Sequence, residues 1–356
     1  MKKRATDYTN YTDAISAPSP EWRDRAAARQ NELVKPRGSL GKLETLSIQI
    51  AAIQETDRPT ASPSAVTVFC ADHGVCAEGV NAYPADITWM HTFNFLNGGA
   101  AVNALAAVAG AELTVVDVGI AKDFENAPGL IGRKVRPGTR NFANEPAMTS
   151  EEVQKALSVG VEIVEMLVEK GVRVIAIGEM GIGNTTSAAA ITAVLTGADV
   201  AAVTGAGSGL DDAGILKKAA VIARALEKHQ PNPSDPFDIL EKVGGLEIAA
   251  MCGAFLACAA KRVVAVADGY ISSVAAALAV RFAPAAKEYI VFAHLSGEGG
   301  HRVLCESFGF EPLLDLGMRL GETSGAALAL PLLSAACETL SGMKTFSEMA
   351  AGAVSS

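Results

Sequence analysis

Three glycine-rich segments carry most of the side chains in this sequence that could do chemistry. They are Gly178-Glu179-Met180-Gly181-Ile182-Gly183-Asn184-Thr185-Thr186, Thr204-Gly205-Ala206-Gly207-Ser208-Gly209-Leu210-Asp211-Asp212 and Val291-Phe292-Ala293-His294-Leu295-Ser296-Gly297-Glu298-Gly299-Gly300-His301. Glycine lets a backbone approach a ligand closely, and the N–H groups that open a following helix hold a phosphate. Any one such loop is usually turn chemistry; three in one chain point to an anion-bearing substrate. Two carboxylates stand out. Glu179 directly follows an apolar run, and Glu322 sits in Leu316-Gly317-Met318-Arg319-Leu320-Gly321-Glu322-Thr323-Ser324-Gly325, ahead of an apolar stretch. A carboxylate sheltered from water holds its proton more tightly and suits a general base near neutrality. From position alone, Glu322 is equally well read as an acid serving a helix dipole. Asp211-Asp212 reads as an N-cap and a first-turn acid, and Asp117 and Asp268 as loop-capping residues at strand ends. Lys217 and Lys218 follow the second loop, as a point charge for phosphate or as solvated lysines.

Familiar templates do not fit. G-x-x-x-x-G-K-[ST] is absent, which disfavours a P-loop. No G-x-G-x-x-G follows a predicted strand, which weakens a dinucleotide-dependent oxidoreductase. The histidines show no H-E-x-x-H pattern and the serines no nucleophile elbow. Cys70 and His73 offer two metal ligands where a closed site needs four. The expectation is therefore no metal and no cofactor.

The elements that must position these loops follow from periodicity. Val66–Cys70, Leu113–Val118, Val172–Ile177, Val263–Ala267 and Tyr289–Ala293 read as strands buried on both faces. Helices are expected over Gly99–Ala109, Glu151–Glu169, Ser187–Leu195, Asp212–Leu226, Leu246–Ala260, Ser272–Val280, Gly299–Phe308 and Glu322–Leu340. Strands alternating with helices predict an open, doubly wound, mostly parallel α/β sheet of Rossmann-like type, with ligands beyond the carboxyl ends of the strands. Residues 1–20 start loose. Ser19-Pro20-Glu21 then opens a helix to about Val34, with an N-cap, a first-turn proline and a first-turn acid. Lys35-Pro36-Arg37-Gly38-Ser39-Leu40-Gly41 breaks it, and Lys42–Ile53 resumes it. Residues 1–60 and 322–356 are expected to form a small helical domain, and residues 61–321 a large α/β domain holding the site. Gln230–Pro236 reads as a surface loop.

Composition bounds the partners. Lys+Arg of 30 against Asp+Glu of 39 leaves a net charge of −9 over 356 residues, unlike a nucleic-acid or anionic-membrane binder. Aromatics are 5%, too few for a base-stacking platform. With 49% hydrophobic residues the chain can bury a large core. The apolar runs Ala249–Ala260 and Ala326–Cys337 are shorter than the roughly 20 residues of a membrane span. Six cysteines without C-x-x-C spacing, and no signal-peptide pattern behind Met1-Lys2-Lys3-Arg4, predict a cytoplasmic protein with free thiols.

Several segments together resemble one family. Lys35–Glu44, Ala71-Asp72-His73-Gly74-Val75, Asn94-Phe95-Leu96-Asn97-Gly98-Gly99-Ala100-Ala101, Gly178–Thr186, His294-Leu295-Ser296 and Leu314–Gly325 occur in the order found in nicotinate-nucleotide–dimethylbenzimidazole phosphoribosyltransferases, the enzymes that activate the lower ligand of cobalamin. The resemblance runs from about residue 25 to about residue 340. It implies a homodimer with a large Rossmann-like and a small helical domain. It implies transfer of 5-phosphoribosyl from nicotinate mononucleotide to an aromatic base, giving an α-riboside phosphate and nicotinate. By the same resemblance Glu322 is the catalytic base and Glu179 lies beside the ribose and nicotinate. Gly181 and Ser296, with Lys218, hold the phosphate; Gly183, Asn184, Thr185, Gly205, Gly297 and Gly321 complete the substrate loops. Asn81, Tyr83, Met90 and His91 lie near the base.

Some residues depart from the family pattern. Relatives carry Ser within the segment that here reads Val80–Pro84, Gln-Met at Met90-His91, Arg at Ala206 and Gly at Thr323. Most of these cluster around the expected aromatic pocket. They keep open a paralogue that uses phenolic acceptors, as a heterodimer. Two further alternatives are a weak binding subunit and a phosphoribosyl-pyrophosphate enzyme using Asp211-Asp212.

Overall fold

The computed structural model describes residues 9–124 and 127–354. Six strands form its centre: β1 (Ser64–Ala71), β2 (Glu112–Gly119), β3 (Leu130–Gly132), β4 (Val174–Met180), β5 (Val264–Ala267) and β6 (Ile290–Phe292). Their order is β3-β2-β1-β4-β5-β6, and every pairing is parallel. Helices α1 (Thr9–Ala14), α2 (Pro20–Glu32) and α3 (Lys42–Gln54) precede the sheet, and α4 (Ile87–Leu96) and α5 (Ala101–Ala109) join β1 to β2. α6 (Ser150–Glu169) leads into β4. Between β4 and β5 come α7 (Asn184–Thr196), α8 (Val200–Val203), α9 (Asp212–His229), α10 (Pro236–Val243) and α11 (Leu246–Ala260). α12 (Tyr270–Phe282) joins β5 to β6, and α13 (Gly299–Phe308), α14 (Ser324–Gly342) and α15 (Phe346–Val354) follow.

Strand alternation sorts the core into two layers. Ala65 and Phe69 of β1 face the side packed by Leu157, Ile191, Met251, Phe255 and Val274. Val66, Val68 and Cys70 face the side packed by Ile50, Ile53, Val102, Leu330 and Leu333. The terminal helices α3 and α14 thus share a core with the sheet, while Ala26, Ala51 and Leu340 join α2 to them in a small cluster. α14 is long and apolar enough to cross a membrane by length and composition, but half of it is buried inside the protein. It packs on α3, α5 and β4.

The predicted α/β architecture holds, with local differences. The cap read at Ser19 is formed, its Oγ accepting the Trp22 N–H, and Thr149 with Glu152 adds a capping box at the start of α6. Asp211 caps α9 by accepting the Gly214 N–H at 2.8 Å, and Asp117 accepts the Ile120 N–H at 2.8 Å. β3 has three residues paired only with β2, too few for a periodicity to show. α1 lies within a stretch expected to be loose, and Pro236 opens α10 instead of ending a loop. α4 is a helix that the periodicity does not predict, because aromatic and polar residues are spread around its circumference. α14 starts two residues later than expected, because Glu322 and Thr323 adopt left-handed backbone angles.

Candidate active site

The sheet changes direction at β1 and β4: the chain runs outward from β1 to β3, then from β4 to β6. Ligands of such sheets bind outside the carboxyl ends of the strands at this reversal. A cavity of about 540 Å³ occupies that place. Its wall takes Glu179, Gly181, Gly183, Asn184 and Thr185 from the end of β4 and the start of α7. Lys218 of α9, Asp268 after β5, and His294, Ser296 and Glu298 after β6 also line it. Asn81, Tyr83 and His91 of the β1–α4 region and Arg319, Gly321 and Glu322 ahead of α14 contribute to the wall as well.

Three expected residues stand apart from this wall. Met90 is half exposed, because adjacent helical residues point about 100° apart and His91 takes the inward direction. Gly205 lies behind it, its carbonyl accepting from Lys218 Nζ at 3.3 Å. Gly297 turns its N–H to the Met318 carbonyl at 3.0 Å.

Glu322 is held in an unusual backbone. Gly321, Glu322 and Thr323 have φ of +82°, +60° and +59°. Such angles are rare for residues with a Cβ and strained for a β-branched one. Neighbouring bonds fix them. Thr323 Oγ1 donates to the Thr67 carbonyl at 2.9 Å, and Ser324 Oγ to the Gly321 carbonyl at 2.7 Å. Asp268 Oδ1 accepts the Ala326 N–H at 2.8 Å, placing a carboxylate at the positive end of α14. The Glu322 side chain is largely buried, and its Oε1 is 2.7 Å from His91 Nε2.

The site gathers acidic side chains in a dry setting. Burial, then the charges of Glu247 and Asp268, push the Glu179 carboxyl well above its usual range; a hydrogen bond from Asn184 opposes them. Burial also raises Asp268 to about 6, against the pull of His294. Behind the Gly181 loop, His73 Nε2 and Glu247 Oε1 meet at 2.6 Å, fully buried, with Ser187 Oγ 3.3 Å from His73 Nδ1.

The opposite end is cationic. Lys218 is 1% exposed, and its Nζ donates to Thr185 Oγ1 at 2.7 Å. Burial depresses it to about 8, partly offset by the nearby Glu298. His301 is pushed down to about 3 by burial and by His294. Its Nδ1 accepts the Ser296 N–H at 2.9 Å, so the neutral ring carries its proton on Nε2, 3.0 Å from Ser273 Oγ. That contact fixes the third glycine loop. Sequence reasoning missed Asp268, His294, Glu298 and Arg319 as wall residues. Their positions at strand ends, or between glycines, were the available signal.

A parallel sheet of Rossmann-like order, with glycine loops, a buried lysine and acids around one cavity at the switch point, has the make-up of an α/β protein that holds a phosphorylated ligand. The sequence matches the family described as Phosphoribosyltransferase over residues 15–351. It is 50% identical over 340 residues to the nicotinate-nucleotide–dimethylbenzimidazole phosphoribosyltransferase of Pseudomonas aeruginosa PAO1, covering 96% of this chain and 97% of that one. It is 50% identical over 323 residues to the enzyme of the same name from Chloroflexus aggregans, covering 91% and 92%. The crystal structure of CobT from Thermus thermophilus superposes with a TM-score of 0.89 at 43% identity, covering 93% of this chain and 99% of that chain. The chain belongs to the nicotinate-nucleotide–dimethylbenzimidazole phosphoribosyltransferase family.

Proposed function

We propose that this chain transfers the 5-phosphoribosyl group of nicotinate mononucleotide to 5,6-dimethylbenzimidazole, releasing nicotinate and an α-riboside phosphate, with Glu322 as the base. The observation that carries the reading is the placing of Glu322 and the buried Lys218 in the wall of one cavity. The donor's phosphate sits by Lys218, Ser296 and the amides that open α7. The donor's ring nitrogen is a pyridinium, so the C1′–N bond breaks with its electron pair going to nicotinate and no proton is needed. Positive charge then develops on the ribose, beside Glu179, and the Asp268 carboxylate stabilises it electrostatically. The acceptor's free ring nitrogen bonds C1′ from the face opposite the leaving group, which inverts the anomeric carbon. Its other ring nitrogen loses its proton to Glu322, so the ring of the product is left uncharged. Such a base contributes typically 10²–10⁴-fold.

The active unit in this reading is a homodimer. Tyr83, Met90, Leu316 and Leu320 are large apolar side chains left exposed, and Tyr83 and Leu320 line the cavity. A second copy seated on this rim would shelter it from water. Six free cysteines, five of them buried, suit the reducing cytoplasm.

The test is turnover of nicotinate mononucleotide by the purified chain with dimethylbenzimidazole, adenine, phenol and p-cresol offered separately, and sedimentation to read the assembly. Formation of the benzimidazole riboside phosphate, at least about 10²-fold reduced in Glu322→Gln, supports the reading. Turnover of phenols alone, or an unaffected Glu322→Gln, refutes it.

A further inference from the structure

We propose that His91 is a positioning residue for Glu322, holding one carboxylate oxygen so that the other faces the acceptor's ring N–H. This inference rests on the reading of Glu322 as the base. The two residues are 231 positions apart in sequence, and their contact is the one side-chain hydrogen bond Glu322 makes among the described residues.

The geometry is specific. His91 Nε2 lies 2.7 Å from Glu322 Oε1. A carboxylate only accepts, so while Glu322 is ionised the proton of this bond sits on Nε2, which fixes the imidazole tautomer. The ring is itself held edge-to-face against Phe95, with centroids 4.7 Å apart and an interplanar angle of 70°. Phe95 is buried in the core layer of α4 and the sheet. A rigid donor therefore reaches across from α4 to a side chain mounted on left-handed backbone. Glu322 Oε1 is taken by this bond. Oε2 remains to accept the acceptor's proton as the new C1′–N bond forms. A base turned by even a fraction of an ångström loses overlap with the N–H it must accept, so the bond is expressed in turnover.

The side chain at position 91 sorts the outcomes. Gln places an N–H donor at the Nε2 position, Asn places one at the Nδ1 position, and Met and Leu offer none. The expected result is a kcat lowered about 10–100-fold in His91→Met and His91→Leu, the scale of a lost hydrogen bond to a charged group. The KM for dimethylbenzimidazole stays within about threefold, His91→Gln restores most of kcat, and His91→Asn does not. Variants all within about twofold of the parent, a change confined to the acceptor's KM, or failure of Gln to restore kcat would overturn the proposal.

A second readout needs no turnover. The chain has five histidines. The 15N resonances of His91 are identified by their loss in His91→Gln. They should report a ring protonated at Nε2 in the parent and a mixed tautomer in Glu322→Ala. A tautomer indifferent to Glu322→Ala overturns the pairing. If the parent is inactive with nicotinate mononucleotide and every acceptor, the reaction assignment fails, and these spectra alone decide whether His91 holds Glu322.

Discussion

A Cβ on Gly178 would lie 2.4 Å from Thr323 Oγ1 and 2.8 Å from the Thr323 N and Cα. The glycine in β4 is therefore what allows the loop bearing Glu322 to settle onto the sheet. Gly178→Ala is expected to push that loop away and destabilise the fold by about 1–3 kcal/mol, as overpacking does. Because the displaced residue adjoins the base, kcat should drop about 10²-fold while the donor's dissociation constant changes little. Urea unfolding and steady-state kinetics check both. Unchanged kcat in a destabilised variant would show that the loop moves without carrying Glu322.

Thr323 sets a contest between strain and a hydrogen bond. Its left-handed backbone costs roughly 1–2 kcal/mol, which glycine would relieve. Glycine would also lose the bond to the Thr67 carbonyl, worth about 1 kcal/mol, and add about 0.5–1 kcal/mol of unfolded-state freedom. The terms nearly cancel, so Thr323→Gly should lie within about 1 kcal/mol of the parent. Thr323→Val keeps the strain and loses the bond, and should be destabilised by about 1–2 kcal/mol. Denaturant midpoints distinguish them, and a large loss in the glycine variant would mean that the threonine is not strained.

The legible parts of this molecule are those written locally. Buried strands announce themselves as β-branched runs, and Leu246–Ala260 and Gly299–Phe308 form helices over the predicted bounds. Caps such as Ser19 and Asp211 are read from a few adjacent residues. β4 runs on through Gly178 to Met180, so Glu179 lies in the strand end and not in the following loop. Parallel pairing with β1 carries it further than its composition suggests. The candidate site is legible as loops and as single carboxylates, not as pairs. Nothing near Glu322 in the sequence points to His91, nor does Glu247 point to His73. Asp268 is readable as a strand-end cap, but the helix it caps starts far along the chain, with the Ala326 N–H it accepts 58 residues on. Tertiary placement makes these partners, and periodicity carries no trace of it.

Lys218 connects pH to donor affinity. Its depressed value of about 8 means that it loses its charge as pH rises through that point, well before an exposed lysine would. The donor's KM should accordingly rise above about pH 8, with kcat less affected, and Lys218→Gln should abolish that rise. At neutral pH the Gln variant should raise the donor's KM about 10–100-fold, the loss of a charge-assisted phosphate contact. Donor titrations from about pH 6 to pH 9 read both effects. A KM indifferent to pH in the parent would place the phosphate elsewhere.

Asp268 offers the complementary experiment on the acidic side. Its folded-state value is raised to about 6 by burial, so the fold favours the protonated carboxyl. The stability that this proton supports is complete below the unfolded value near 4 and is lost as pH rises through about 6. Asp268→Asn keeps an oxygen for the Ala326 N–H and removes the charge. The variant should match the parent near pH 4, gain on it between about pH 4 and pH 6, and stay ahead by about 2–3 kcal/mol above that. Unfolding midpoints across this range test the sign. Activity should move the other way, because a cationic pyridinium and an oxocarbenium-like ribose gain from the charge that the free protein resists. Saturating nicotinate mononucleotide should therefore narrow the stability gap between parent and Asp268→Asn, whereas inorganic phosphate should not. If phosphate narrows the gap as well, the carboxylate is responding to occupancy of the cavity and not to the donor's positive charge.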